Sequence, residues 1–338
     1  MTMPLYDQDD LRAAPPPEAF MAFGHSFGRR FLLTVDTEEE FDWDAPFNRD
    51  SQAVTIASAM KAGQAFFAQA AVPPLYLADY PVIDNPATGP MLAQWVAEGS
   101  ADVGAHCHPW VNPPHEEEVS TANSFAGNLP EPLERRKLTA LRDRMAQVIG
   151  HAPKVFRAGR YGVGPNTGRI LRDLGFQLDT SVRSGFDYRA ERGPDFRGLP
   201  LKPYRTGPDG DLVELPLSTA FTGPLGAWSK AMRPVMERGG LTASTLARTG
   251  VCQRIPLTPE GVTSAEAVRA IDHLLAEGMD LLVFSFHSPT LSPGKTPYVR
   301  SDADLQKFYR WWDSILDHLA RRNVTSVGVE EILAACSR

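Results

Sequence analysis

Short apolar runs alternate with stretches of helical spacing along most of this chain, and no other feature narrows its possible folds as far. Residues 31–35, 74–78, 102–105, 154–156, 177–180, 212–215, 281–286 and 325–327 read as strands. Helix-like segments lie between most of them, at about 54–71, 90–98, 131–149, 165–174, 264–277 and 302–322. Repeated strand–helix units build a parallel sheet, either closed into a barrel or left open and wound on both faces. Pro- and Gly-rich stretches near 107–130, 184–210 and 288–300 all follow expected strands, where barrel enzymes carry their chemistry. No solenoid repeat and no Gly-rich phosphate loop is present in the sequence.

Helix punctuation agrees with these boundaries. Thr263 with Glu266 makes a capping box, in which each side chain satisfies an orphaned amide at the helix start. Gly150 and Gly278 stand where a left-handed C-terminal stop belongs, and Ser301 can cap the last long helix. That helix carries Phe308, Trp311, Ile315 and Leu319 as an apolar stripe facing a core. Residues 1–29 read as an arm, because the run Ala-Ala-Pro-Pro-Pro cannot continue a helix or a central strand. Residues 30–338 read as one domain, a size that single α/β barrels reach.

A formal net charge of −7 without any Lys/Arg block argues against a nucleic-acid partner, whose phosphates need basic patches. The N-terminus lacks the basic start and apolar run of a secretory signal. Apolar stretches fall short of the roughly 18 residues of a spanning helix. Cys107, Cys252 and Cys336 are odd in number and far apart, so a disulfide framework is not expected and a reducing cytoplasm is the plain reading.

Four expected strands end alike, with an apolar run leading into an ionisable residue: Asp36, His106 (with His108 following), Arg157 and His287. Buried strands tolerate charge poorly, so polar groups collect where a strand emerges. Period-two alternation puts Thr34, Asp36 and Glu38 on one side of the first strand. It likewise puts Gly104, His106 and His108 together, with Val103, Ala105 and Cys107 opposite. Two imidazoles and one carboxylate on a common side can hold a divalent cation and leave positions open for water and substrate. Two satisfied histidines in a polar loop would produce the same pattern.

The order Thr34-Val35-Asp36, Gly104-Ala105-His106-Cys107-His108-Pro109, Phe156-Arg157-Ala158-Gly159-Arg160-Tyr161-Gly162 and Phe286-His287-Ser288-Pro289 resembles the polysaccharide deacetylase (NodB-homology) family. The runs Asp36–Trp43 and His106–Trp110 are similar to its WalW-like subgroup, and the resemblance spans roughly residues 30–330. It implies a distorted, incomplete (β/α) barrel of about seven strands, with a divalent metal at its mouth. It further implies hydrolysis of an N-acetyl amide on a sugar or polysaccharide precursor. Zinc is the expected ion, with nickel, cobalt or manganese as alternatives.

By the same resemblance Asp36 is the general base, Arg157 orients it, and His287 protonates the leaving amine. His108 matches the second metal histidine. The first falls at Gly104, so His106 is its expected substitute. Thr37 replaces the usual metal aspartate, and either Glu38 supplies that carboxylate or Asp36 binds the metal itself. The tyrosine motif carries one extra residue between Arg157 and Tyr161, and the aromatic partner after Asp179 is missing.

Trp43, Trp110, Tyr161 and Arg160 complete the expected substrate contacts. The two indoles can stack on a sugar ring or pack the barrel rim, and Arg160 can meet an anionic group or form a surface ion pair. Glu39 and Glu40 read as solvated or structural, and His25, His115, His151, His273 and His318 as surface histidines. Asp179 can orient His287 or sit in a turn. Ser288 lacks the Gly-x-Ser-x-Gly elbow of a serine hydrolase. Three rivals stand beside the deacetylase: a cyclic-amide or ureide hydrolase on the same scaffold, an amidohydrolase-type barrel, and a metal-free scaffold that binds carbohydrate. An amidohydrolase needs metal histidines beyond those present. The sequence carries no signature of an oligomeric state.

Overall fold

The computed structural model describes residues 9–222 and 253–336; Cys252 lies outside them. The described strands are β1 (Arg29–Thr37), β2 (Leu75–Ala78), β3 (Asp102–Cys107), β4 (Val155–Ala158), β5 (Leu178–Asp179), β6 (Tyr204–Thr206), β7 (Leu212–Glu214), β8 (Thr219–Thr222), β9 (Gln253–Pro256), β10 (Leu281–His287) and β11 (Val324–Ser326). The described helices are α1 (Ala57–Gln69), α2 (Tyr80–Asp84), α3 (Thr88–Ala97), α4 (Glu131–Ile149), α5 (Thr167–Asp173), α6 (Ser264–Ala276), α7 (Asp302–Arg321) and α8 (Val329–Cys336).

One sheet runs β10-β1-β2-β3-β4-β5-β7-β6, with β11 pairing the start of β1. The path from β10 to β7 contains seven strands, all parallel, as the expected barrel requires. The remaining gap is bridged irregularly. After β7, Leu217 N bonds Val182 O at 3.0 Å, Ser218 N bonds Val283 O at 3.3 Å, and Ser285 N bonds Leu257 O at 3.1 Å. The antiparallel pair β8–β9 extends from that crossing.

Alternation sorts side chains into two cores. Phe31, Leu33 and Val35 of β1, Ala105 and Cys107 of β3, and Phe284 and Phe286 of β10 face the helices. Leu32, Leu75, Leu77, Val155, Val283 and Leu281 fill the barrel interior. Ile332 and Cys336 of α8 join Phe27 in plugging its lower end. The Pro-rich segment therefore does not hang free. Leu11 is 1% exposed within the outer core, and Phe20 pairs with Tyr204.

Local signals act as expected. Thr263 and Glu266 form the capping box of α6, and Ser301 caps α7 through the amide of Asp304. Gly150 ends α4 at φ 96°, a conformation costly for a residue with a Cβ. Phe308, Trp311, Ile315 and Leu319 are buried. Cys107 and Cys336 are free and buried. His318 departs from expectation: it is buried, and its Nε2 contacts Asp272 at 2.9 Å. No helix among the described residues is long and apolar enough to cross a membrane.

Candidate active site

The apolar interior stops one layer below the strand C-termini, and ionisable side chains occupy the mouth. Asp36 from β1, His106 from β3, Arg157 from β4 and His287 from β10 all point inward there, together with Glu38 and His108 just beyond their strands. Register explains the convergence: Asp36 pairs with His287 across β1–β10, and His106 with Arg157 across β3–β4. The loop after His108 is held by Lys137, whose buried ammonium donates to the carbonyls of Pro109 (2.9 Å), Asn112 (2.7 Å) and Pro114 (2.7 Å).

Both histidines have fixed tautomers. His106 Nδ1 lies 3.1 Å from the Arg157 carbonyl, and His108 Nδ1 lies 2.8 Å from Glu39 Oε2. Each partner only accepts, so each Nδ1 carries the proton and each Nε2 keeps its lone pair. Those two Nε2 atoms face Glu38 Oε2 at 3.7 and 3.5 Å, too far for a good hydrogen bond. Glu38 Oε1 is buried without a hydrogen-bond partner. Ligand atoms of Glu38, His106 and His108 lie within 4.8 Å of one another. Converging lone pairs and an unmet carboxylate oxygen fit a divalent cation, and two imidazoles with one carboxylate suit zinc.

Electrostatics separate the roles of the titratable groups. Burial pushes His108 down to about 4 and lowers His106 as well, so both imidazoles stay neutral. Burial pushes Glu38 up to about 7. Asp36 goes the other way: although burial opposes it, the cations Arg157 and His287 hold it below the ordinary carboxylate range. Arg157 Nη1 makes a short contact with Asp36 Oδ1, and its Nε is fixed by the Thr180 carbonyl at 2.9 Å. Burial alone would lower His287, yet Glu260 and Glu38 raise it to about 10.

The structure decides several alternatives that the sequence left open and adds Glu260 and Asp79, which it did not mark. Glu260 Oε2 lies 2.7 Å from His287 Nδ1, so Glu260 orients this histidine, not Asp179. Asp179 instead faces Ser181 and Glu214 on the other side of the sheet. Glu39 is not solvated; it is fully buried and braces both His108 and the Trp110 indole (2.9 Å). Trp110, 2% exposed and stacked on His108, backs the imidazole instead of offering a face to a sugar. Asp79 bonds the Glu39 amide at 2.8 Å, and burial beside Glu39 raises it well above its usual range. Glu40 pairs with Lys295 at 2.5 Å. No periodicity marks Glu260 or Asp79; only Glu39, in the run Glu38-Glu39-Glu40, carried any signal.

Above the acids and imidazoles opens a cavity of about 320 Å³, small-molecule sized. Trp43 lines it, edge-on to His287 with ring centres 5.0 Å apart. Tyr161, Tyr188, Arg160, Arg183 and Tyr298 make the other walls. Arg160 and Tyr161 are both left-handed, at φ 54° and 61°. Two such non-glycine residues in a row store strain on the order of 1–3 kcal/mol each, a feature that clusters at functional sites. Gly159 just before them is required by space. A Cβ there would lie 2.3 Å from His108 Cδ2 and 2.5 Å from the Cys107 carbonyl.

No family model and no curated protein matches this sequence. Solved structures do. A provisionally assigned polysaccharide deacetylase from Mycobacterium smegmatis superposes with a TM-score of 0.50 at 16% identity, over 94% of this chain and 93% of its own. The PuuE allantoinase superposes with a TM-score of 0.53 at 14% identity, over 99% of this chain and 97% of its own. At these identities the likeness establishes architecture: this chain has the incomplete (β/α) barrel fold of the deacetylase-like proteins.

Proposed function

We propose that this chain is a metal-dependent hydrolase of carbon–nitrogen bonds, a WalW-like member of the polysaccharide deacetylase family that removes an N-acetyl group from a sugar or polysaccharide precursor. One observation carries the reading. Two imidazole Nε2 atoms and a carboxylate converge at the base of a pocket, and Asp36 Oδ2 stands 3.9 Å from His287 Nε2 beside them. A neutral binding groove has no need of a buried, oppositely charged acid and base at its floor.

His106, His108 and Glu38 would hold the ion, with zinc the best match and nickel, cobalt or manganese compatible. Such an ion, when bound, polarises a carbonyl and makes water a nucleophile near neutral pH. Asp36, kept anionic by Arg157, accepts the proton of the attacking water. His287, kept cationic by Glu260, delivers a proton to the departing nitrogen. Trp43 and Tyr161 flank the sugar.

Acetate release from N-acetylated sugars, with zinc-loaded and chelator-stripped protein, tests the proposal. Release that stops on stripping and returns with zinc is expected; release indifferent to metal overturns it. The near-complete overlap with an allantoinase favours one second reading, hydrolysis of a cyclic ureide. Turnover of allantoin but of no acetylated sugar would select it. Protein that retains no stoichiometric ion after purification and zinc exposure would leave only a carbohydrate-binding scaffold.

A further inference from the structure

Among the cations at the pocket, Arg183 alone of the described residues lacks a carboxylate partner. Asp36 is matched by Arg157, Glu260 by His287, and Glu191 by Arg160, which is also held by Ser124 Oγ at 2.5 Å. Asp42 at the rim is exposed to water. Arg183, four residues beyond the end of β5, has no carboxylate partner among the described residues. Its Nη1 donates to the Tyr188 hydroxyl at 3.1 Å, and its Nε is buried with no acceptor. Aromatic rings hold the guanidinium in place: its carbon lies 4.0 Å from the Phe186 ring centre and 5.2 Å from that of Tyr161.

A second guanidinium, that of Arg254, lies 3.7 Å from the same Phe186 ring. Two like charges sharing one ring repel, and nothing anionic among the described residues sits between them. Cation–π contact compensates part of that cost. A guanidinium fixed in a pocket wall, its Nη1 bonded only to a tyrosine hydroxyl and its charge unmatched by a carboxylate among the described residues, is a group that carboxylate or phosphate oxygens can complement.

We infer that the substrate of this site is an acidic sugar, whose carboxylate or phosphate docks on Arg183. The inference rests on the hydrolase reading of the pocket and adds its substrate class. Arg160, the arginine singled out by the motif, does not serve this purpose because Glu191 already neutralises it.

The test compares three matched compounds on the zinc-loaded full chain: N-acetylglucosamine, its 6-phosphate, and the corresponding N-acetylated uronic acid. A charge-assisted pair predicts kcat/KM about 10- to 100-fold higher for at least one charged compound than for the neutral one. Whichever charged compound gains identifies phosphate or carboxylate as the docking group. Arg183→Met should bring that ratio toward one, and Arg183→Lys, which keeps the charge without the fork, should give an intermediate ratio. A wild-type ratio near or below one, or a ratio unmoved in a folded Arg183→Met protein, overturns the inference. Should none of the three release acetate, the deacetylase reading fails first, and calorimetric titration of the same compounds decides about Arg183. Tighter binding of a charged compound that is lost in Arg183→Met sustains its role; equal or absent binding refutes it.

Discussion

Replacing Glu39 by glutamine tests the support beneath the candidate metal centre without touching a ligand. Glu39 Oε2 accepts from His108 Nδ1 at 2.8 Å, and Oε1 accepts from Trp110 Nε1 at 2.9 Å. Two donors thus meet two acceptor oxygens in a fully buried place. A glutamine offers one oxygen and one amide nitrogen. With its oxygen toward His108, its NH₂ opposes the indole N–H. Turned around, it donates to Nδ1 and drives the imidazole proton onto Nε2, the atom that faces Glu38 at 3.5 Å. Either arrangement penalises the tautomer that presents a lone pair to a cation. Carboxylates that orient metal histidines this way are worth about 10- to 100-fold in metal affinity, or about 1.4–2.7 kcal/mol. Competition for zinc against a chromophoric chelator measures the loss directly, with circular dichroism to verify the fold. Affinity within twofold of wild type, in a folded variant, would refute the claim that Glu39 sets the state of His108.

Gly159→Ala should be poorly tolerated, since its new methyl would press 2.3 Å from His108 Cδ2; overpacking of this kind costs about 1–3 kcal/mol, and chemical denaturation together with zinc affinity would register it. Thr263→Ala removes the capping box of α6 and should lower stability by about 1 kcal/mol, read as a shifted urea midpoint with an unchanged slope. Glu134 reports on pH. Burial raises its carboxyl to about 7, and its Oε2 has no hydrogen-bond partner. The folded state therefore holds a proton that the unfolded chain releases near pH 4.5, so wild-type stability falls as pH climbs from that value to about 7. Glu134→Gln lacks this slope and should gain on wild type by about 3 kcal/mol across the window, measured by denaturant titration at pH 4.5 and 7.5. An equal difference at both pH values contradicts the buried-acid account.

Strand-end chemistry was legible because two simple rules coincide at this site. Alternation assigns a face, and burial expels charge to the strand terminus, so Asp36, His106, Arg157 and His287 could be placed from the sequence alone. Loop residues obey neither rule. Glu260 reaches His287 across 27 positions from a turn without periodicity, and Arg183 owes its place to a crossing segment that no pattern marks. β6, β8 and β9 escaped notice for a related reason: each has only three or four residues, and their pairings lie at the sheet edge or in the irregular crossing. Trp110 follows the rim-packing alternative and not the sugar-stacking one. Its position beside the histidine motif suggested a sugar platform, but Glu39 takes its N–H and turns the ring into the wall.

The two departures at the expected metal-ligand positions, Gly104 and Thr37, share a cause in the layering of the interior. A side chain at position 104 would meet Leu77 Cδ2 at 2.7 Å and the Val155 carbonyl at 2.9 Å, so no histidine fits there. The next inward position on β3 is His106. On β1, Thr37 turns outward and bonds the Val35 carbonyl at 2.8 Å, while the next inward position after Asp36 is Glu38. His106 thus stands two residues, and Glu38 one residue, nearer the mouth than positions 104 and 37, and their atoms meet there. Ligand atoms of Glu38, His106 and His108 lie within 4.8 Å of one another. Leu77 and Val155 fill the layer at position 104, and Glu38, His106 and His108 gather above it, so a chain lacking two of the expected ligand residues still presents a coherent candidate donor set.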